Sequence, residues 1–308
     1  MMNKNNILLV TLLSTSLYAC GGGASATKST SASSSYPGSS APAAASSVAP
    51  SSTALASAAV SSSAATSSES PERFSLVFRD DFNHFDSNRW QLMTHSWGGN
   101  LALFSADTVS VADGMMKIKL LDAPPGTSSG GESKPYLGAE VRSIDTINYG
   151  RVSARAKLAK GSAVVSALVT IYTPWPADSW NEFDIESLGK NTHEIQFNSM
   201  VYTGPKLTPP VTASVTPTQY PLMQELGFDS SADFHVYTIE WTPTEAKFLI
   251  DDVVYHRWVD RMDLVGLPQN ILMTIWASNI TTWAGPVTAD TVKGEAIYDW
   301  IEVWRYNN

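Results

Sequence analysis

From Phe74 onward, apolar and polar residues alternate in short runs. A period of two is the signature of a β-strand with one buried face. The runs are Phe74 to Phe78, Asp107 to Val111, Met115 to Leu121, Gly150 to Leu158, Val164 to Tyr172, Val236 to Trp241, Lys247 to Ile250, Ile271 to Trp276 and Tyr298 to Tyr306. Turn residues separate them, as at Asp113-Gly114 and Pro124-Pro125-Gly126. No convincing amphipathic helix interrupts the pattern, and Leu222 to Leu226 is expected to form a single helical turn. The pattern predicts an all-β fold, with two antiparallel sheets face to face and one of them curved into a cleft.

One run differs from the others. In Glu182-Phe183-Asp184-Ile185-Glu186, three carboxylates alternate with two apolar residues, and Trp180-Asn181 precede them. On a strand the acids share one face while Phe183 and Ile185 enter the core. Neighbouring like charges destabilise a sheet, so stability alone does not account for the row. At a rise of ~3.3 Å per residue, Glu182 and Glu186 have Cα atoms ~13 Å apart, and their side chains can lean together over Asp184. Carboxyls that converge to ~5–5.5 Å fit a glycosidase that retains anomeric configuration. By spacing alone, a solvated strand face and a hard-cation site stand beside catalysis as readings of this segment.

Glu182 to Glu186 and Glu194 to Met200 are expected to pair as a hairpin around Leu188-Gly189-Lys190-Asn191. Gln196 and Asn198 then join the acidic face. With the turn centred on Lys190, Asn198 lies across from Glu182, and Glu194 lies across from Glu186, where it would raise that proton affinity further.

Composition divides the chain at about Pro71. Residues 21–70 are almost all Ser, Ala, Thr, Gly and Pro and read as a disordered tether, whereas residues 71–308 hold all ten tryptophans and fit one domain. In residues 1–20, Lys4 precedes the apolar run Ile7 to Leu12, and Leu17-Tyr18-Ala19-Cys20 follows. The segment resembles a bacterial lipoprotein signal, with Cys20 as the lipidated residue, and the apolar stretch is short for a membrane span. Gly21 in place of Asp points to the outer membrane of the cell envelope.

Cys20 is the single cysteine, so the folded domain can have neither an internal disulfide nor thiol chemistry. The five histidines show no paired metal spacing, and His235 reads as a strand residue. A net charge of −9 without a basic stripe excludes nucleic acid as a partner and disfavours strongly sulfated glycans.

Trp180-Asn-Glu-Phe-Asp-Ile-Glu-Ser-Leu-Gly-Lys190, Gln196-Phe-Asn198 and Phe234-His-Val-Tyr-Thr-Ile-Glu-Trp241 resemble glycoside hydrolase family 16, and within it the bacterial lichenases, the endo-β-1,3-1,4-glucanases. Ala139-Glu140-Val141-Arg142-Ser143, Tyr149-Gly150-Arg151 and Tyr298-Asp299-Trp300 add to the match. The resemblance implies a concanavalin A-like jelly roll. It implies Glu182 as nucleophile, Glu186 as general acid/base and Asp184 as assisting carboxylate. By the same analogy Glu140, Arg142, Trp180, Asn198, Trp276 and Trp283 line the cleft, and Gln196 and Trp97 join them as hydroxyl-bonding and stacking candidates. Phe104 is a further stacking candidate, while Trp241, Trp300 and Trp304 are expected in the core.

The function implied is a retaining endo-β-glucanase at the cell surface acting on a neutral β-glycan, monomeric and with no cofactor required. The one ion the resemblance allows is a structural calcium at Asp299 and the Gly114 carbonyl. A transglycosylase, a xyloglucan- or galactan-active hydrolase, and a noncatalytic glycan-binding lipoprotein are the alternatives. Two departures bear on the substrate: Ser187 follows the second glutamate where lichenases carry an aromatic, and the Pro- and Thr-rich stretch from Tyr202 to Met223 is longer than the lichenase loop.

Overall fold

A computed structural model describes residues 73–307, apart from 175, 206, 208 and 209. The expected signal, the expected tether and Cys20 lie outside the described residues. In chain order the strands are β1 (Phe74–Asp80), β2 (Trp90–Leu92), β3 (Ala102–Phe104), β4 (Val109–Ala112), β5 (Met115–Lys119), β6 (Leu121–Asp122), β7 (Tyr136–Ser143), β8 (Gly150–Lys157) and β9 (Val164–Ile171). They continue with β10 (Asn181–Leu188), β11 (Glu194–Val201), β12 (Thr218–Gln219), β13 (Leu222–Glu225), β14 (His235–Trp241), β15 (Ala246–Ile250), β16 (Val253–Trp258), β17 (Asn270–Ala277) and β18 (Glu295–Tyr306). A short helix, α1 (Thr281–Ala284), follows β17. Among the described residues no helix is long and apolar enough to cross a membrane.

The strands form two sheets. One runs β16-β15-β14-β8-β18-β5-β4 with β1 beside β18; the other runs β12-β11-β10-β9-β17-β7-β2, with β13 on β11 and β3 and β6 on β7. Pairing is antiparallel except for β3 with β7. This is the expected sandwich of jelly-roll type, and its core is made by the inward halves of the alternating strands. Phe183 shows how the core fixes the acid strand. It is fully buried on β10 and meets Trp241, Phe248 and Trp258 of the opposite sheet at ring distances of 6.3, 6.1 and 5.8 Å. Burying an aromatic of this size stabilises by roughly 1.5–3 kcal/mol, so the strand cannot turn over without losing that contact.

The start of β10 is pinned by Asn181. Its side-chain amide donates to the carbonyls of Trp180 and Leu264, and its Oδ1 accepts from the backbone N–H of Gly266 and Leu267. A buried amide with its hydrogen bonds made holds the chain in one register.

Several local expectations need correction. Leu222 to Leu226 forms no helical turn; Leu222–Glu225 is an edge strand whose backbone pairs with β11. The run beginning at Asp107 opens with a 3-10 turn, and the strand starts at Val109. Trp241 is core, but Trp300 and Trp304 are only half-buried. A register shift between Tyr298 and Trp300 explains them. It turns Ile301 and Val303 inward and sends Trp300, Glu302 and Trp304 to the outer face, where the Arg79 guanidinium stacks on Trp300 at 4.5 Å.

Candidate active site

On the outward face of β10, Glu182, Asp184 and Glu186 stand in a row opposite Met200, Asn198 and Gln196 of β11. Across β9 and β17 the row of Glu186 continues through Ala167 and Thr274 to Glu140, and that of Asp184 through Val169 and Leu272 to Arg142. The sequence therefore places Glu182, Asp184, Glu186, Gln196, Asn198, Glu140 and Arg142 on one sheet face, as the alternation requires.

The hairpin register differs from expectation by two residues. Asn198 faces Asp184, not Glu182, and Glu194 pairs with Glu225 of β13 instead of facing Glu186. Strand β10 extends through Leu188, and the loop from Gly189 to His193 turns about Asn191 through the Asn191 N–H to Leu188 carbonyl bond of 2.9 Å. A shift of two keeps every side chain on its face.

Each glutamate has its own donor. The Trp180 indole N–H donates to Oε2 of Glu182 at 2.6 Å, and the Gln196 amide donates to Oε2 of Glu186 at 2.7 Å. Burial pushes all three carboxyls up; at Asp184 the negative charges of Glu182 and Glu186, and a hydrogen bond to Glu182, push further. The shift favours the protonated form of Asp184, whose O–H donates a hydrogen bond to Glu182. Glu182 is raised to about 8 and Glu186 to about 7, burial being the first cause in each. Trp180 and Asp184 both donate to Glu182 and Gln196 donates to Glu186, and each of these bonds favours the ionised form of its acceptor against burial. An anionic carboxylate beside a protonated one is what attack at a carbon and protonation of its leaving oxygen require.

The other candidates sort by exposure. Glu140 is buried and accepts from Nε of Arg142 at 2.8 Å, with His95 Nε2 at 3.6 Å from its second oxygen. Sequence reasoning missed His95, since an isolated histidine carries no spacing signal. Burial lowers its pKa first, and Arg142 adds to that against Glu140. Asn198 Oδ1 accepts from the Tyr220 N–H at 3.2 Å, tying the far edge of the sheet to the site.

Trp97, Trp276 and Trp283 are half-buried and form a wall, with ring centroids 5.2 Å apart between Trp97 and Trp276 and 5.8 Å between Trp276 and Trp283. Partly open indole faces suit the C–H faces of sugar rings. Two stacking candidates are not platforms. Phe104 is 2% exposed beneath Trp97, and Trp180, also 2% exposed, packs with Ala177 and Met200 and acts through its N–H.

A calcium ion does not suit the donors proposed for it. The Asp299 carboxylate is paired with the Arg155 guanidinium, and among the described residues no group of three acidic, imidazole or thiol side chains gathers to hold a metal.

The family model described as glycosyl hydrolases family 16 matches residues 99–302, which include the acid strand and Trp276 and Trp283 of the aromatic wall. The chain belongs to glycosyl hydrolase family 16. A β-glucanase of Brevibacillus brevis is 28% identical over 247 residues, covering 78% of this chain and 86% of the relative. Among solved structures, a β-1,3-1,4-glucanase (lichenase) from a mouse hindgut metagenome is 30% identical with a TM-score of 0.62, covering 75% of this chain and 99% of the other. The β-glucanase of Bacillus licheniformis is 26% identical with a TM-score of 0.62, over 75% and 98% of the two chains. This family 16 chain is thus a glycosidase by descent.

Proposed function

We propose that this family 16 enzyme is a retaining endo-β-glucanase that cuts β-1,3-1,4-glucan or a related neutral β-glycan at the cell surface. The observation that supports the chemistry is the donor arrangement on β10: Trp180 and Asp184 hold the charge on Glu182, and Gln196 holds Glu186. Glu182 attacks the anomeric carbon while the bond to the glycosidic oxygen breaks, and that oxygen takes the proton of Glu186 and leaves as a sugar hydroxyl. A water then gives its proton to Glu186 and its oxygen to the anomeric carbon, releasing Glu182 and returning the original configuration.

Similarity to proteins named β-glucanase and lichenase supports the glycan class, and the row of Glu140, Arg142 and the tryptophan wall gives a neutral sugar chain hydroxyl and ring contacts on one face. Strand β13 widens that face beyond β11, with Met223 paired to Gln196 and 44% exposed. The Lys4 to Cys20 segment and the Ser/Ala-rich tether support a lipid-anchored placement, with the domain held off the envelope by residues 21–70.

The test is incubation of the protein with lichenan, laminarin, xyloglucan, agarose and carrageenan, sizing the products and following their anomeric configuration by NMR. Short oligosaccharides of retained configuration from lichenan carry the reading. Inverted products overturn the mechanism, and cleavage of agarose alone overturns the glycan class. Metabolic labelling with a fatty acid, lost in Cys20→Ser, tests the anchor.

A further inference from the structure

We propose that Trp283 is a positioning residue for the general acid, acting through Gln196 to decide which oxygen of Glu186 carries the proton; this rests on the glycosidase reading of Glu186. An indole N–H can only donate. Nε1 of Trp283 lies 2.9 Å from Oε1 of Gln196, so that atom of the amide is the oxygen, and the Nε2 donor is thereby turned to Oε2 of Glu186 at 2.7 Å. A carboxyl oxygen that already accepts an N–H bond is the poorer seat for a proton. The proton sits on Oε1 of Glu186, and this is the oxygen that delivers it to the leaving group.

The two bonds form one chain from the aromatic wall to the reacting proton, and both ends are anchored. Gln196 is 7% exposed and lies directly across from Glu186 in the β10–β11 ladder. Trp283 sits on α1, its ring against Trp276 and packed with Val165, Leu188 and Ala284. The Lys190 ammonium bonds the Thr282 carbonyl at 3.2 Å, and the Ala163 N–H bonds the Ala284 carbonyl at 2.7 Å. These bonds hold the α1 backbone, and the contact with Trp276 holds the indole against the wall.

The charged groups around Glu186 do not supply an equivalent control. Glu182 and Asp184 on its own strand act on its charge but do not choose between its oxygens. On β9 the facing residue is Ala167, on β11 Glu194 lies beyond Gln196 toward the turn, and Lys190 in that turn is directed at α1. Glu140, Arg142 and His95 stand across β9 and β17. Without the Trp283 N–H, the Gln196 amide is free to present its oxygen to Glu186, which favours the protonated form and moves the proton to Oε2.

The experiment compares Trp283→Phe, Gln196→Leu and the double variant on two kinds of substrate. One is lichenan, whose leaving sugar needs a proton; the other is a dinitrophenyl β-glucooligosaccharide, whose leaving group does not. Trp283→Phe keeps an aromatic face, so KM should stay within about twofold. The kcat on lichenan should fall about tenfold, and the alkaline limb of kcat/KM should move up by about one pH unit, the size expected for one hydrogen bond to a charged group. On the dinitrophenyl substrate kcat/KM should stay near normal, because its first step needs no proton. Gln196→Leu should reproduce the pattern, and the double variant should be no worse than Gln196→Leu.

An unmoved limb with equal losses on both substrates overturns the relay and leaves Trp283 as a stacking surface. Additive losses in the double variant overturn it as well. Glu186→Ala in the same assays separates the two levels of the reading. If its loss spares the activated substrate while that of Trp283→Phe does not, only the relay fails. If Glu186→Ala loses kcat/KM equally on both, the acid assignment fails and the relay falls with it.

Discussion

Trp180 and Glu182 lie on the same strand end, and the indole N–H of the first meets the carboxylate of the second at 2.6 Å. The tryptophan is buried against Ala177 and Met200, so its ring serves as a fixed mount for one donor. That donor opposes the burial that raises Glu182. Trp180→Phe keeps the packing and removes the donor. The proton affinity of Glu182 then rises, and because catalysis needs this group ionised, the acid limb of kcat/KM should move to higher pH with a loss of about tenfold to a hundredfold at pH 6. A pH–rate profile with an unmoved acid limb would show that Trp180 acts only by packing.

The same row of acids should burden the fold as pH rises. All three carboxyls have folded-state pKa values raised by burial. A carboxyl with a raised folded pKa adds stability that is fully present below its unfolded pKa of ~4 and is lost as pH climbs through the folded pKa. Glu182→Gln and Asp184→Asn remove a group of this kind. Each should be close to wild type in Tm at pH 4 and should exceed it at pH 8, by roughly 2–4 °C for each kcal/mol recovered. Thermal unfolding across that range measures the difference. A variant less stable than wild type at pH 8 would contradict the raised pKa values. Both variants should have lost nearly all activity, which separates the stability of this strand from its use.

What was legible in the sequence, and what was not, divides along the distance over which each feature is set. The alternation of Glu182, Phe183, Asp184, Ile185 and Glu186 fixes a face locally, so the acid row and its core anchors were readable before any pairing was known. The hairpin register depends on how many residues the Gly189–His193 loop absorbs, which residue types there do not determine. Trp300 and Trp304 were misplaced because a single bulge inverts the alternation of β18. Leu222–Glu225 lacks β-branched residues and is a strand only because the open edge of β11 supplies its partner. The roles of Trp180 and Trp283 as N–H donors were not visible because a tryptophan's hydrogen-bond partner is chosen by tertiary packing.

The corrected register has a consequence at Glu194. It pairs with Glu225 on β13, two ladder positions away from Gln196, and does not face Glu186. Glu194→Gln should therefore leave the alkaline limb of the pH–rate profile where it is, within about 0.2 units, and change kcat by less than twofold. A limb that moves down by half a unit or more would mean that Glu194 does press on the acid, and the hairpin register would have to be redrawn.

Strand β13 gives the last prediction, about chain length. Residues paired across an antiparallel ladder share a face. Met223 therefore stands beside Gln196 on the cleft side, and Glu225 beside Glu194, one strand spacing of ~4.8 Å further from the acids. A thioether there can cover the apolar face of a sugar residue that a short oligosaccharide does not place over β13. Met223→Ala removes that contact without touching Glu182, Asp184 or Glu186. With a glucan series of increasing length, KM for the short members should match wild type. For chains long enough to cross β13 it should rise about threefold to tenfold, the effect of uncovering one or two methylene-sized groups. The rise should come without a fall in kcat, because the contact holds ground state and transition state alike. A uniform rise over the whole series, or none at any length, would place the sugar chain elsewhere on the sheet and leave β13 as edge protection for β11.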